Sequence, residues 1–131
     1  MATKSLHELT DLQLSIMQEV WSRRTATVTD VHDALVAETG LAKKTIGTMM
    51  ARLEKQGLLV HSSEGREFVY EATVTRDEVG RAKMRSALDH LFGGSLPALV
   101  SHALEAKDVA PGDVKRVRSL IEEWEKKGKK R

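Results

Sequence analysis

The stretch between Gly40 and Gly57 constrains this chain more than any other. Leu41 and Ala42 form a brief turn. From Lys43 to Gln56 the apolar residues Ile46, Met49, Met50 and Leu53 then recur at the three-and-four spacing of a helix with one buried face. Both glycines read as helix stops, because glycine takes the left-handed backbone after a helix without steric cost. The opposite face carries Lys44, Thr45, Thr48 and Arg52, with Lys43 and Lys55 at the ends. A helix divided in this way packs on one side and offers cations and hydroxyls on the other.

Its neighbours supply the packing. Thr10 with Gln13 makes a capping box, and Leu9 with Leu14 a hydrophobic staple, so a first helix is predicted to run to about Arg23. Leu12, Ile16 and Val20, with Leu9 and Trp21 offset, mark its buried stripe. Ala26-Thr27-Val28 reads as a very short strand, and Thr29 as the cap of a second helix that turns Val31, Ala34 and Leu35 inward. After Gly57 come two strand-like runs, Leu58 to Ser62 and Arg66 to Ala72, joined through Ser63-Glu64-Gly65. Val60, Phe68 and Tyr70 are expected to be half-buried on them. The order helix, short strand, helix, tight turn, helix, hairpin is that of a mainly α winged helix-turn-helix domain, placed here at residues 1–74.

A second group of helices follows. Thr75 with Glu78 is another capping box, opening a helix to about Phe92 that Gly93-Gly94 ends. Ser95 caps the next, through Leu96, Leu99, Val100, Ala103 and Leu104. A last helix starts near Pro111 and carries Val114, Val117, Ile121 and Trp124 in one narrow seam. That seam is too apolar to face water, and the winged-helix segment has enough apolar residues to close its own core. Residues 75–125 are therefore expected to form a helical dimerisation region, with Leu88, Leu91, Leu99, Val114, Val117, Ile121 and Trp124 buried against a second copy.

Charge sharpens the reading only when it is localised. The formal net charge is +2, but Lys126, Lys127, Lys129, Lys130 and Arg131 supply so much of it that without them it falls to −3. Residues 126–131 read as a solvated, disordered tail. Between Gly40 and Arg66, by contrast, Lys43, Lys44, Arg52, Lys55 and Arg66 outnumber Glu54 and Glu64. A basic field on one helix, followed by a hairpin tipped with Glu64-Gly65-Arg66, suits the major groove of duplex DNA with Arg66 at the backbone or minor groove. The DNA-facing set is Lys43, Lys44, Thr45, Thr48, Arg52 and Arg66, with Thr29 counted beside them. A module that docks another protein is the competing class, but its contact face would show aromatic or aliphatic anchors rather than Lys, Thr and Arg.

These residues resemble the penicillinase-repressor group of winged-helix regulators, the BlaI/MecI/CopY family. The resemblance runs from about Leu9 to Glu125. It rests on Ile16-Met17-Gln18-Glu19-Val20-Trp21, on Lys44-Thr45-Ile46-Gly47-Thr48 followed by Arg52-Leu53, on Tyr70, and on Leu91-Phe92-Gly93-Gly94 with Leu99-Val100. It implies a homodimeric repressor that sets two recognition helices on a palindromic operator. Carried over by position, the reading helix falls on Lys43, Lys44, Thr45, Thr48 and Arg52, and the wing on Arg66. Gly47 stands where relatives often have a basic residue, which removes a contact and weakens the helix by roughly 1 kcal/mol against Ala.

The resemblance also implies how repression ends. Metal at a cysteine-rich C-terminus is closed to a chain without cysteine. Proteolysis at an Asn-Phe bond maps to His102-Ala103, whose altered residues leave the inducing signal unassigned. His7, His32, His61, His90 and His102 contain no pair three or four apart, so no local metal site is expected. No phosphate-binding glycine loop, nucleophile elbow or membrane-length apolar run is present either, and the expectation is a cytoplasmic protein that is not an enzyme and needs no cofactor.

Overall fold

The structure, a computed structural model, describes residues 6–106 and 109–128. After a single 3-10 turn at Leu6–Glu8, helix α1 spans Asp11–Arg23, strand β1 Thr25–Ala26, helix α2 Val28–Thr39 and helix α3 Lys43–Lys55. Strands β2 (Leu59–Glu64) and β3 (Glu67–Ala72) follow, then helices α4 (Arg76–Leu91), α5 (Leu96–Glu105) and α6 (Asp113–Gly128). The strands form one antiparallel sheet in the order β1-β3-β2.

Local chemistry sets most boundaries. Thr10 accepts from the Gln13 backbone N–H while the Gln13 side chain accepts from the Thr10 N–H, closing the capping box that starts α1. Helix α2 begins two residues earlier than expected: its cap is Thr27, not Thr29, in a box with Asp30. The bond from the Thr27 backbone N–H holds the Asp30 carboxyl below its usual range against the opposing effect of burial, with the Thr27 hydroxyl and Arg23 adding to it. Gly40 ends α2 in the left-handed region at φ 66°. Strand β1 is correspondingly earlier than Ala26-Thr27-Val28, because Thr27 and Val28 are drawn into the cap and first turn of α2.

The core lies where α1, α2 and α3 meet the sheet. Ile16, Met17 and Val20 of α1, Val31 and Leu35 of α2, and Ile46, Met50 and Leu53 of α3 are buried with Leu9, Ala26, Leu58, Leu59, Tyr70 and Val79. Each large aliphatic side chain buried in this way contributes about 1.5–3 kcal/mol before the entropy of ordering is charged against it. Met17, rather than Leu12, completes the buried stripe of α1, and Met49 is only half-buried.

The hairpin pairs three residues away from the expected register, with Ser62 opposite Val69 rather than Arg66. Glu64 pairs with Glu67, so Gly65 and Arg66 alone make the turn, with Gly65 at φ 66° as the first position of a type II′ turn requires. Leu59 and His61 then share a face with Phe68 and Tyr70, while Val60, opposite Glu71, points the other way. Val60 and Phe68 are exposed, at 49% and 48%, and Leu59 takes the inward place expected for Val60.

Among the described residues that carry a side chain, Arg24 is in a strained backbone conformation. Arg24, which closes α1, has φ 70° and ψ −47°, a conformation that costs a side-chain-bearing residue about 1–3 kcal/mol. Arg24→Gly is expected to raise unfolding stability by about 0.5–1.5 kcal/mol, after subtracting the greater freedom glycine gives the unfolded chain. Urea unfolding would measure it, and an unchanged or lower midpoint would show that no strain is relieved.

The chain divides into two compact units, one reaching Ser86 and the other beginning at Ala87. The first unit thus extends beyond residue 74. Val79 of α4 is buried in its core, the Lys83 ammonium donates to the Leu9 carbonyl at 2.7 Å, and the Trp21 indole N–H donates to the Val74 carbonyl at 2.9 Å. In the second unit neither α5 nor α6 has a buried residue. Helix α6 continues to Gly128, so Lys126 and Lys127 are helical rather than part of a tail, where their charge complements the negative end of the helix dipole. Lys129, Lys130 and Arg131 lie outside the described residues.

Candidate nucleic-acid interface

Helix α3 presents the face its sequence calls for. Ile46, Met50 and Leu53 anchor it in the core, and Lys43, Lys44, Thr45, Thr48, Arg52 and Lys55 are exposed on its other side. The Thr48 hydroxyl donates back to the Lys44 carbonyl at 3.1 Å, leaving its oxygen lone pairs outward. Thr48, Ala51, Arg52 and Lys55 line a shallow open surface along this face. Among the described residues neither Lys44 nor Arg52 sits in an ion pair that would have to break before either met a phosphate.

Gly47 does not lie on that face. A Cβ there would stand 3.5 Å from Val28 Cγ1, in ordinary contact with the start of α2. The glycine is therefore not forced by a clash, and a side chain at this position would emerge along the crossing of α2 and α3.

The wing joins this surface at its edge. Arg66, exposed in the turn, lines a small cleft with Val28, Lys43, Glu67 and Phe68. Glu67 ties three elements together: its carboxylate accepts from the Thr29 hydroxyl of α2 at 2.8 Å and lies 3.9 Å from the Lys43 ammonium of α3. Thr29 is accordingly half-buried and engaged, whereas the other six residues of the expected set are exposed. Glu67 escaped the sequence reading because its partners are distant along the chain. Only a paired register for the hairpin would have placed it beside α2.

A second linkage supports the wing from beneath. The His61 Nδ1 lies 2.7 Å from the Glu54 carboxylate, which also accepts from the His61 backbone N–H at 3.2 Å. The imidazole stacks on Phe68 with ring centroids 4.0 Å apart and approaches Tyr70 at 5.7 Å. Burial, and then the Glu54 carboxylate, push the Tyr70 phenol above its ordinary value. Glu54 thereby fastens the last turn of α3 to β2. This pair was also missed, since the two residues are separated by a turn and share no local motif.

In the second unit the apolar residues expected at an assembly surface are present and uncovered. Leu91, Val114, Val117, Ile121 and Trp124 are exposed, Trp124 at 73%, while Leu88 and Leu99 are half-buried. Helices α5 and α6 enclose a groove of about 680 Å³ lined by residues including Leu99, Val100, Leu104, Val114, Val117 and Ile121. His102 is exposed on α5 with its ring edge-on to Phe92 at 5.6 Å. Among the described residues no cluster of His, Asp or Glu could hold a metal ion, and no helix is long and apolar enough to cross a membrane.

Three helices closed by a small antiparallel sheet, with an exposed third helix beside a two-stranded hairpin, define a winged-helix protein. The family model described as Penicillinase repressor matches residues 9–123, and the chain belongs to that family. It is 28% identical over 126 residues to the penicillinase repressor of Bacillus licheniformis, a match covering 96% of this chain and 98% of that protein. It is 34% identical over 119 residues to the transcriptional regulator BlaI of Mycobacterium tuberculosis, covering 89% of this chain and 86% of the other. Among solved structures it matches the DNA-binding domain of the repressor BlaI, with a TM-score of 0.51 and 32% identity, over 58% of this chain and 93% of that one.

Proposed function

We propose that this protein is a transcriptional repressor that binds duplex DNA as a homodimer, placing α3 of each copy in the major groove of a two-fold-symmetric operator. The observation that carries this reading is the exposed outer face of α3, where Lys43, Lys44, Thr45, Thr48 and Arg52 stand clear of the core on a rigidly packed rod. Lysine and arginine at that position meet phosphates and guanine edges, and threonine hydroxyls meet either. Arg66 extends the contact along the backbone from the wing. Membership of a repressor family and likeness to a DNA-binding domain support the same role. A binding protein of this kind performs no catalysis and works where the chromosome is, in the cytoplasm.

The homodimer follows from the second unit. Its exposed apolar face needs a cover, and a second copy supplies one while setting two reading helices about one DNA turn, roughly 34 Å, apart. The dimer surface then comprises Leu88, Leu91, Leu99, Val114, Val117, Ile121 and Trp124.

Anchorage on phosphates has a direct signature. Affinity for a duplex selected from a randomised pool should fall linearly in log-log form as salt rises, with a slope near −0.9 for each phosphate neutralised. Fluorescence anisotropy across a salt series measures it. A flat response would exclude phosphate contacts and favour a protein partner instead.

A further inference from the structure

The wing of this protein is acidic where a DNA-facing element is ordinarily basic. Glu64, Glu67 and Glu71 stand against Arg66 alone in β2, β3 and their turn. Two of these glutamates, Glu64 and Glu67, face each other across the hairpin, an arrangement that like charges disfavour. Glu67 is nevertheless held in place. The 2.8 Å bond from the Thr29 hydroxyl to a charged acceptor is short and fixes the carboxylate, and the Lys43 ammonium 3.9 Å away then comes to it.

The donors gathered around this carboxylate are those a phosphate oxygen would use. A hydroxyl from the first turn of α2 and an ammonium from the first residue of α3 converge on one point, beside Arg66. Helix starts favour anions there as well, through their unpaired N–H groups. We propose that Glu67 is an internal stand-in for a DNA phosphate: its carboxylate occupies Thr29 and Lys43 in the free protein, and a duplex must displace it or forgo those contacts. Glu67 thus limits the phosphate-driven part of affinity, the part that holds the protein on sequences other than its target. The ion pair is exposed and long, so the restraint is modest and reversible rather than a block.

This inference rests on the DNA-binding reading above, and the test separates the two. Wild type, Glu67→Gln, Lys43→Gln, the double variant and Glu71→Gln would be titrated against a random-sequence duplex of about 30 base pairs, enough for two half-sites a turn apart. Glu67→Gln is expected to bind about three- to tenfold more tightly at low salt and to steepen the salt slope by about 1.8, one additional phosphate at each of the two half-sites. In the Lys43→Gln background the gain should largely vanish, and Glu71→Gln, with the same change of charge on the same strand, should give much less.

An unchanged or weakened Glu67→Gln variant overturns the proposal while leaving DNA binding intact. An equal gain from Glu71→Gln overturns it too, since bulk charge would then explain the effect. Absence of duplex binding by the wild-type chain sinks the underlying reading instead. Glu67 and Lys43 are both surface side chains, and matching thermal melts would establish that the variants remain folded.

Discussion

Val117→Lys combined with Ile121→Lys is expected to leave the protein monomeric and to lower its affinity for a two-half-site duplex by about 10²- to 10³-fold. Of the thirteen large apolar side chains exposed among the described residues, nine fall between Leu91 and Trp124. So uneven a distribution is what the proposed dimer requires of its assembly surface. Val117 and Ile121 sit one turn apart on α6 and line the groove against α5. A lysine ammonium buried there without a partner costs several kcal/mol, and symmetry imposes the cost twice. The loss of DNA affinity follows without touching α3, because a lone reading head forfeits the effective concentration that linkage provides. Sedimentation would give the oligomeric state and anisotropy the affinity. A wild-type chain that is monomeric at tens of micromolar, or a double variant that stays paired, would refute the assignment.

The second large effect belongs to the outer face of α3. Arg52→Ala is expected to cost about 1–3 kcal/mol of binding and to relax preference at one base position, as loss of a bidentate guanidinium contact does. Lys44→Ala should weaken binding evenly across sequences and lower the salt slope by about one phosphate per protomer. Both side chains are exposed and outside the core, so stability should stay within about 0.5 kcal/mol of the parent. The contrast between the two variants is the informative part, since it separates a base-reading residue from a phosphate-holding one. Full affinity in both would remove α3 from the interface.

What could be read from the sequence, and what could not, follows the range of the interactions involved. Thr10 with Gln13, Thr75 with Glu78, Ser95 and Gly40 mark helix ends through contacts a few residues long, and these were legible. The cap of α2 was misplaced although a local signal existed: Asp30 lies three residues after Thr27, whereas Thr29 has His32 at that distance. The face of β2 was misread for another reason. Closing the hairpin across Ser63-Glu64-Gly65 sets Ser62 opposite Arg66, whereas the true two-residue turn sets it opposite Val69, and an odd shift puts different side chains on a shared face. Thr29 with Glu67 and Glu54 with His61 lay beyond sequence reasoning, because only the folded hairpin brings them together.

The basic face itself was visible because it is a matter of periodicity. Once Ile46, Met50 and Leu53 fix the inward side, Lys44, Thr48 and Arg52 have nowhere else to go. Its acidic neighbour on the wing was not, and there the structure adds most to the account of how tightly DNA is held.

The two tryptophans fall one to each unit. Trp21 has its indole N–H satisfied by the Val74 carbonyl in a half-buried setting, while Trp124 stands open to water on α6. Nature has therefore fitted each half of the chain with its own optical gauge. Emission from one registers the integrity of the reading head and emission from the other the company that α6 keeps, with no label added.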